Sequence, residues 1–334
     1  MGGDYAPQEV VRGALLALGE NPQLELLLVG DEARIKDELV ACHSKSLERI
    51  TLIHAPAMMS MSEAITALRK KRDASIMRAM DQVKEGRARA VVAAGSTGAA
   101  MSAALLRWGR IKGVERPAIA TVLPTAAGPC LLLDVGATVD CKAEWLRQFA
   151  FMGAAYARMV LRIPVPRVGL LNIGEEPEKG NEQALAAHHL LAAAPGPFWT
   201  FIGNIEGRAI WDGSADVVVT DGFAGNIALK TAEGVSALVT RLLKSAIRQG
   251  SLRAKLGAVL LRPAFRVLQR RIDPAEYGGA LLLGVDGVCV ICHGSSKAYA
   301  VANAIRVACQ ALAGEYLEFV RSSSTFGESV KGAT

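Results

Sequence analysis

Short, uninterrupted apolar runs alternate along this chain with longer segments of helical periodicity, and this alternation constrains the fold most. Continuous apolar runs are typical of strands buried on both faces of a mostly parallel sheet. The strands predicted in this way are residues 24–30, 90–95, 130–136, 167–172, 200–203, 216–220 and 287–292. The helices predicted between them are residues 7–19, 61–86, 97–109, 142–161, 180–194, 225–249 and 295–320. We therefore expect an α/β fold in three α/β/α layers around a mostly parallel sheet.

Composition excludes several classes of protein. The 334 residues are 51% hydrophobic, which is too apolar for a disordered chain. No signal-like segment opens the sequence, no apolar stretch is long enough to cross a bilayer, and six scattered cysteines are too few for a disulfide scaffold. We expect a cytoplasmic protein whose residues 1–334 form a single domain, with a frayed tail at 322–334.

Two familiar cofactor signatures are rejected on their context. The turn at residues 95–98 opens a helix after a strand, but its spacing is not that of a dinucleotide fingerprint, and no phosphate-loop lysine motif exists in the chain. Residues 289–293 match the C-x-x-C-H haem pattern, yet they lie within a buried apolar strand, which indicates structural thiols. No second pair of metal ligands accompanies them. We expect no cofactor and no metal.

The remaining polar motifs are turns at the ends of predicted strands. Gly222 and Gly225 allow backbone N–H groups to converge at a helix start, which is anion-binding geometry, and Lys230 lies one turn beyond Asn226. A plain glycine turn with a surface lysine is the alternative. His293 is followed by a glycine and two serines at the next such turn, and hydroxyl groups at a helix start favour phosphate. A structural histidine is the alternative there.

A polar string at residues 170–182 follows another strand and is either a solvated helix start or part of the same crevice. Further strings of this character are residues 1–4, 95–99, 132–137, 201–208, 221–231, 276–279 and 293–296. Together, in order and over essentially the whole chain, they resemble the PlsX family, phosphate acyltransferases that act on acyl-[acyl carrier protein]. Ser96, Tyr5, Cys292 and Lys297 depart from the family pattern, which has Asn, His, Gly and Asn at these positions.

The resemblance implies transfer of a long-chain acyl group from acyl-[acyl carrier protein] to inorganic phosphate, giving acyl phosphate for bacterial phospholipid synthesis. It also implies an isopropylmalate-dehydrogenase-like fold, a homodimer, peripheral association with the inner face of the membrane, and a glycerol-3-phosphate acyltransferase as the downstream enzyme. A short apolar strand ahead of Met1 belongs to the same pattern. A phosphotransacetylase-like enzyme that uses coenzyme A is the competing class.

Phosphate attack on a thioester depends on positioning and charge stabilisation more than on proton transfer, because phosphate is already anionic and thiolate leaves readily. Glycine turns with lysine and histidine suit this task. The predicted catalytic residues are Asp221, Asn226, Lys230 and His293. The predicted phosphate- and substrate-binding residues are Asp4, Gly95, Ser96, Thr97, Gly98, Asn172, Lys179, Asn181, Gly222, Gly225, Gly294, Ser295 and Ser296.

The net charge of +6 is concentrated in residues 241–272, which hold basic residues and no acidic one. Apolar residues recur within this segment at helical spacing, so it predicts an amphipathic helix on an anionic membrane. Packing in a dimer and contact with the acidic carrier protein are the alternatives. The contact residues predicted here are Arg253, Lys255, Leu256, Val259, Leu260 and Arg262. Nucleic-acid binding is not expected, because the only aromatic residue in the segment is Phe265.

Overall fold

The computed structural model describes residues 1–43, 47–60, 63, 65–193, 196, 198–272, 276 and 278–323, with backbone only at 268–272. Its helices are α1 (Gln8–Glu20), α2 (Glu32–Ala41), α3 (Ser75–Lys84), α4 (Thr97–Arg107), α5 (Ala143–Met159), α6 (Glu182–Ala193), α7 (Gly222–Gln249), α8 (Leu252–Leu260), α9 (Arg262–Ile272), α10 (Ala298–Ala313) and α11 (Tyr316–Ser322). Its strands are β1 (Leu26–Gly30), β2 (Ile50–His54), β3 (Ala90–Ala94), β4 (Ala118–Pro124), β5 (Pro129–Leu133), β6 (Arg167–Leu171), β7 (Thr200–Ile205), β8 (Val217–Val219), β9 (Ala280–Leu283) and β10 (Val288–Cys292).

One large sheet carries the fold, with strand order β3-β10-β9-β4-β5-β8-β6-β7. The pairs β3/β10, β5/β8, β8/β6 and β6/β7 are parallel, whereas β9 is antiparallel to both β10 and β4, and β4 is antiparallel to β5. These three antiparallel pairings reverse the direction of the strands across the sheet. As a result, β3 and β10 run in the opposite sense to β5, β6, β7 and β8.

The uninterrupted apolar runs are explained by burial on both faces of this sheet. In β5, Leu131 and Leu133 belong to one core cluster, together with Phe149 of α5. Cys130 and Leu132 belong to a second core cluster, which contains residues of α3 and α4. Successive side chains of a strand point to opposite faces, so both faces of β5 require apolar residues. The predicted layered α/β fold is confirmed.

Several predicted elements differ from the structure. The helix predicted over 61–86 is wrong, because residues 65–69 form a 3-10 turn and α3 begins only at Ser75. The helix predicted over 295–320 is divided into α10 and α11 at Glu315, whose φ of 53° is incompatible with a continuous right-handed helix. The elements α2, β2, β4 and β9 were not predicted. The predicted frayed tail falls mainly on residues 324–334, which lie outside the described residues.

A cavity of about 600 Å³ separates the small sheet of β1 and β2 from the edge of the large sheet at β3. Residues 24–29 and 87–95 line it along its length, while α1 and α10 contribute apolar side chains. Among the described residues, β1 pairs only with β2, and β3 only with β10, so each strand has an unpaired edge. Met1 packs against Gly30 at the end of β1, and burial, together with the charge of Arg34, lowers the pKa of the Met1 amino group.

We predict that five apolar residues engineered ahead of Met1 occupy this cavity as a strand and raise the melting temperature by several degrees. The added backbone would hydrogen-bond to both unpaired edges, and its side chains would fill apolar space. Thermal unfolding of the extended and unextended chains measures the effect. The control is an extension of equal length with proline at its centre, which lacks the N–H group that a paired strand needs. Equal stabilisation by both extensions would contradict the prediction.

Candidate active site

The predicted site residues lie in two clusters. The first cluster follows β3 and β10 and consists of Asp4, Gly95, Ser96, Thr97, Gly98, His293, Gly294, Ser295 and Ser296. The second cluster follows β6 and β8 and consists of Asn172, Lys179, Asn181, Asp221, Gly222, Gly225, Asn226 and Lys230. Each set arises because neighbouring parallel strands end at the same edge of a sheet.

The first cluster is held together by backbone contacts at the strand ends. Ala94 and Cys292 are partners in the register of β3 and β10, so the two turns that follow them emerge side by side. The N–H of Asp4 donates to the carbonyl oxygen of Gly294 at 2.8 Å. A Cβ atom at Gly3 would lie 3.0 Å from that same oxygen. Residues 1–4 can therefore pack onto both turns only because glycine precedes Asp4.

The imidazole of His293 has a defined hydrogen-bonding pattern within the first cluster. The backbone N–H of Ser295 donates to His293 Nδ1 at 3.2 Å, and Ser295 Oγ lies 2.7 Å from the same nitrogen. A backbone N–H can only donate, so Nδ1 is an acceptor, and the proton of the neutral ring is on Nε2. The ring is exposed, so its Nε2–H donor is accessible to a ligand.

Two helices begin in the first cluster, and only α10 has a carboxylate at its start. At the start of α10, the N–H of Ala298 donates to Glu9 Oε2 at 2.8 Å, so a carboxylate already occupies this helix terminus. At the start of α4, Ser96 Oγ accepts from the N–H of Ala99. Within the described residues, no acceptor contacts the amides of Thr97 and Gly98. These two amides and the helix dipole favour an anion at the start of α4.

The second cluster is built around the buried side chain of Asp134. Its carboxylate accepts hydrogen bonds from the backbone amides of Ile119, Gly136, Ala137 and Thr138 at 2.7 to 3.1 Å. Burial raises the pKa of Asp134, and the hydrogen bonds from these amides act in the opposite direction. Asp134 thereby fixes the loop that faces the start of α7.

The start of α7 packs directly against this loop. The N–H of Gly222 donates to the carbonyl oxygen of Thr138 at 2.8 Å, and Asp221 Oδ1 accepts from the N–H of Ala224 at 2.7 Å. A Cβ atom at Gly225 would overlap the carbonyl oxygen of Asp134. The glycines of this turn therefore allow a close approach of two backbones, and the amide of Gly222 is already bound within the protein.

The other side chains of the second cluster are largely occupied by local contacts. Asn172 Nδ2 donates to the carbonyl oxygen of Lys179 at 2.9 Å, and Asn181 caps α6 by accepting from the N–H of Ala184 at 2.9 Å. Lys230 Nζ forms a 2.7 Å ion pair with Glu233, and its side chain is 49% exposed. These contacts hold the loop after β6, whereas Asn226 is exposed.

The structure does not bring the two clusters into contact with each other. From β10 to β8 there are four interstrand spacings, or about 19 Å at ~4.8 Å each. No hydrogen bond or ion pair of the described residues joins the clusters.

Sequence reasoning also did not select Asp134 or Glu9. Asp134 could have been found from its position, because it is a charged residue directly after the buried run of β5.

Two negative observations concern the described part of the chain. It contains no group of three or more His, Cys, Asp or Glu residues arranged to hold a metal ion. None of its helices is both long enough and apolar enough to cross a membrane.

We predict that Asp134→Ala lowers the free energy of unfolding by about 3 kcal/mol or more, because it leaves several buried amides without an acceptor. Urea unfolding measures the change. The comparison is Asp216→Ala, which removes an ion pair with Arg167. Because the Arg167 side chain is exposed, the free energy of unfolding should fall by less in this variant than in Asp134→Ala. An Asp134→Ala chain as stable as the unchanged protein would show that the carboxylate does not hold the loop.

A family model described as fatty acid synthesis protein matches residues 1–318. A phosphate acyltransferase of Pelotomaculum thermopropionicum is 51% identical over 334 residues, which cover 100% of this chain and 95% of the relative. A phosphate acyltransferase of Moorella thermoacetica is 53% identical over 309 residues, covering 92% of this chain and 89% of the relative. The resemblance noted from the sequence motifs is confirmed.

Solved structures show the same fold at low sequence identity. The EutD phosphotransacetylase from Staphylococcus aureus has a TM-score of 0.61 and 15% identity, with 92% of each chain covered. A phosphotransacetylase from Streptococcus pyogenes has a TM-score of 0.62 and 17% identity, with coverage of 93% of this chain and 92% of that one. At this level of identity, the likeness establishes the architecture alone.

Proposed function

We propose that this chain, which belongs to the phosphate acyltransferase family, transfers a long-chain acyl group from acyl-[acyl carrier protein] to inorganic phosphate. In this reaction a phosphate oxygen attacks the thioester carbonyl carbon, a tetrahedral oxyanion forms, and the C–S bond breaks. The products are acyl phosphate and the thiolate of the carrier. Residues 1–334 act as one phosphate acyltransferase domain in the cytoplasm, and the acyl phosphate passes to a glycerol-3-phosphate acyltransferase.

Phosphate binds at the first cluster in this proposal. The observation that carries it is the pair of free amides, Thr97 and Gly98, at the start of α4. The Nε2–H of His293 is a further donor nearby, and the hydroxyl groups of Ser295 and Ser296 flank it. Donors fixed by the fold require little reorganisation as charge develops in the transition state. Positioning by these groups supplies the catalysis, with no acyl-enzyme intermediate.

The second cluster is less suited to phosphate and better suited to the acyl donor. Its helix start is already occupied by Asp221 and by the carbonyl oxygen of Thr138. A second anion at this helix start would be repelled by the negative charge of Asp221. Asn226 and Lys230 are exposed polar groups that can hold a part of the acyl donor away from the reacting carbonyl, although Lys230 must first release Glu233.

We predict that His293→Ala lowers turnover by roughly 10²-fold, the cost of one donor directed at the transition state, while the fold survives. Turnover is measured as phosphate-dependent release of carrier thiol from palmitoyl-[acyl carrier protein]. Lys230→Ala should also lower turnover, because it removes the cation at the acyl-donor side. Glu233→Gln is its matched control, since it frees Lys230 without removing it. Unchanged turnover in both alanine variants would exclude these roles.

A phosphotransacetylase-like reaction on acetyl-coenzyme A is the second candidate, because phosphotransacetylases share the fold. The two candidates differ in the donor. If phosphate is consumed with palmitoyl-[acyl carrier protein] and not with acetyl-coenzyme A, the family reaction holds. If phosphate is consumed with acetyl-coenzyme A and not with palmitoyl-[acyl carrier protein], the phosphotransacetylase-like reaction replaces the family reaction.

The exposed basic segment supports a peripheral membrane contact. In α8, Leu256 is 64% exposed and Leu260 81% exposed, and Val259 lies exposed between them. Arg253, Lys255 and Arg262 have no ion-pair partner within the described residues. Apolar side chains among free cations suit an anionic bilayer. The long α7 also exposes apolar residues, including Val235, Leu238 and Leu242, and this face suits a second copy in a homodimer.

We predict that vesicles rich in anionic lipid co-sediment the protein and that high salt weakens the binding, because exposed charges are screened within about 10 Å at 0.1 M salt. Leu256→Glu combined with Leu260→Glu should abolish co-sedimentation without changing the oligomeric state. Size-exclusion chromatography provides the control. A monomeric double variant, together with no vesicle binding by the unchanged protein, would assign the apolar residues of α8 to the dimer instead.

A further inference from the structure

Four large apolar side chains surround the second cluster and are exposed. Ile173 follows β6 and is 80% exposed, and Phe223 in the first turn of α7 is 61% exposed. Val139, beyond the loop fixed by Asp134, and Ile227, one turn after Phe223, are also exposed. We call Val139, Ile173, Phe223 and Ile227 the apolar rim. None of these residues was predicted to belong to the site.

The fold places the members of the rim close to one another. Val168 and Leu170 of β6 are in register with Val217 and Val219 of β8, so the residues after these two strands emerge side by side. Thr138, which precedes Val139, accepts a hydrogen bond from the N–H of Gly222. The rim therefore spans the ends of three adjacent strands, β5, β8 and β6.

Helix geometry explains why Phe223 and Ile227 do not pack into the core. Gly222 and Gly225 are buried, and Leu229 packs against the second core cluster, so positions 222, 225 and 229 form the inner face of α7. Phe223 and Ile227 are four residues apart and lie on a neighbouring, outward face. Clustered exposed apolar side chains with a polar border are characteristic of a binding surface.

The charges beside the rim indicate the chemistry of its occupant. Acidic Asp140, Glu175 and Asp221 lie within two residues of the rim in sequence, and basic Lys142 and Lys230 lie three residues from Val139 and Ile227. Glu175 pairs with Arg208 and Lys230 with Glu233, so these charges are balanced locally and offer an anionic bilayer or the acidic carrier protein no net attraction. A neutral alkyl chain needs no such attraction and would cover the apolar surface.

We propose that the apolar rim binds the alkyl chain of the acyl donor, with Phe223 as its principal contact, and thereby favours long acyl chains. This inference rests on the proposed acyl transfer to phosphate. Each methylene that contacts Phe223 leaves water, so the benefit increases with chain length and disappears for a chain too short to reach the rim.

The test compares Phe223→Ser with the unchanged protein on palmitoyl- and butyryl-[acyl carrier protein]. We expect kcat/KM for the palmitoyl donor to fall by about tenfold or more and that for the butyryl donor by less than about threefold, since only the longer chain loses apolar contact. The KM for phosphate should not change. Phe223→Leu, which keeps an apolar side chain, should retain most of the activity on the palmitoyl donor.

Val40→Ser is the matched control, because Val40 is an exposed apolar residue of α2 outside both clusters, and its loss should affect neither donor. Equal losses on both donors with Phe223→Ser would overturn the proposal. A change in oligomeric state or in vesicle binding would also overturn it, by assigning the rim to a second copy or to a membrane. If the unchanged protein used neither donor, the proposed function itself would fail.

Discussion

The carboxylate of Asp134 is the interaction on which the second cluster depends. It lies at the end of β5 with no exposure to solvent, and the four backbone amides that it binds belong to β4 and to the loop after β5. A buried charge is tolerated only when it is well hydrogen-bonded, so the loop has little freedom to adopt another shape. The carbonyl oxygen of Thr138 in this loop accepts a hydrogen bond from the N–H of Gly222, and this contact fixes the start of α7. These contacts, from Asp134 through Thr138 to Gly222, position Asp221, Asn226 and the exposed ring of Phe223.

The reversal of strand direction between β10 and β5 has a direct consequence for chemistry. It gives the sheet two sets of strand ends, one with free amides and an imidazole donor, the other with charges of both signs and exposed apolar groups. The first set suits a small dianion and the second suits an alkyl chain, so two unlike substrate parts have unlike environments.

Charge is distributed in a way that matches this division. Residues 241–272, which include α8, hold basic residues and no acidic one, whereas charges of both signs lie near the second cluster. In the reaction that we propose, an acidic carrier or an anionic membrane would be attracted to this basic segment.

The sequence by itself determined the layered α/β architecture, because continuous apolar runs such as 130–133 are stable only when both faces of a strand are buried. It also determined that the glycine turns at 222–225 and 293–296 end strands and begin helices, since glycine and hydroxyl residues mark such positions locally. Tertiary structure decided the rest. Whether the turn at His293 and the turn at Asp221 share one crevice depends on strand order and direction, which pairing between distant segments sets and which no local pattern encodes. Likewise, only the folded chain shows that Glu9 binds the first amide of α10, because that contact joins residues 289 positions apart.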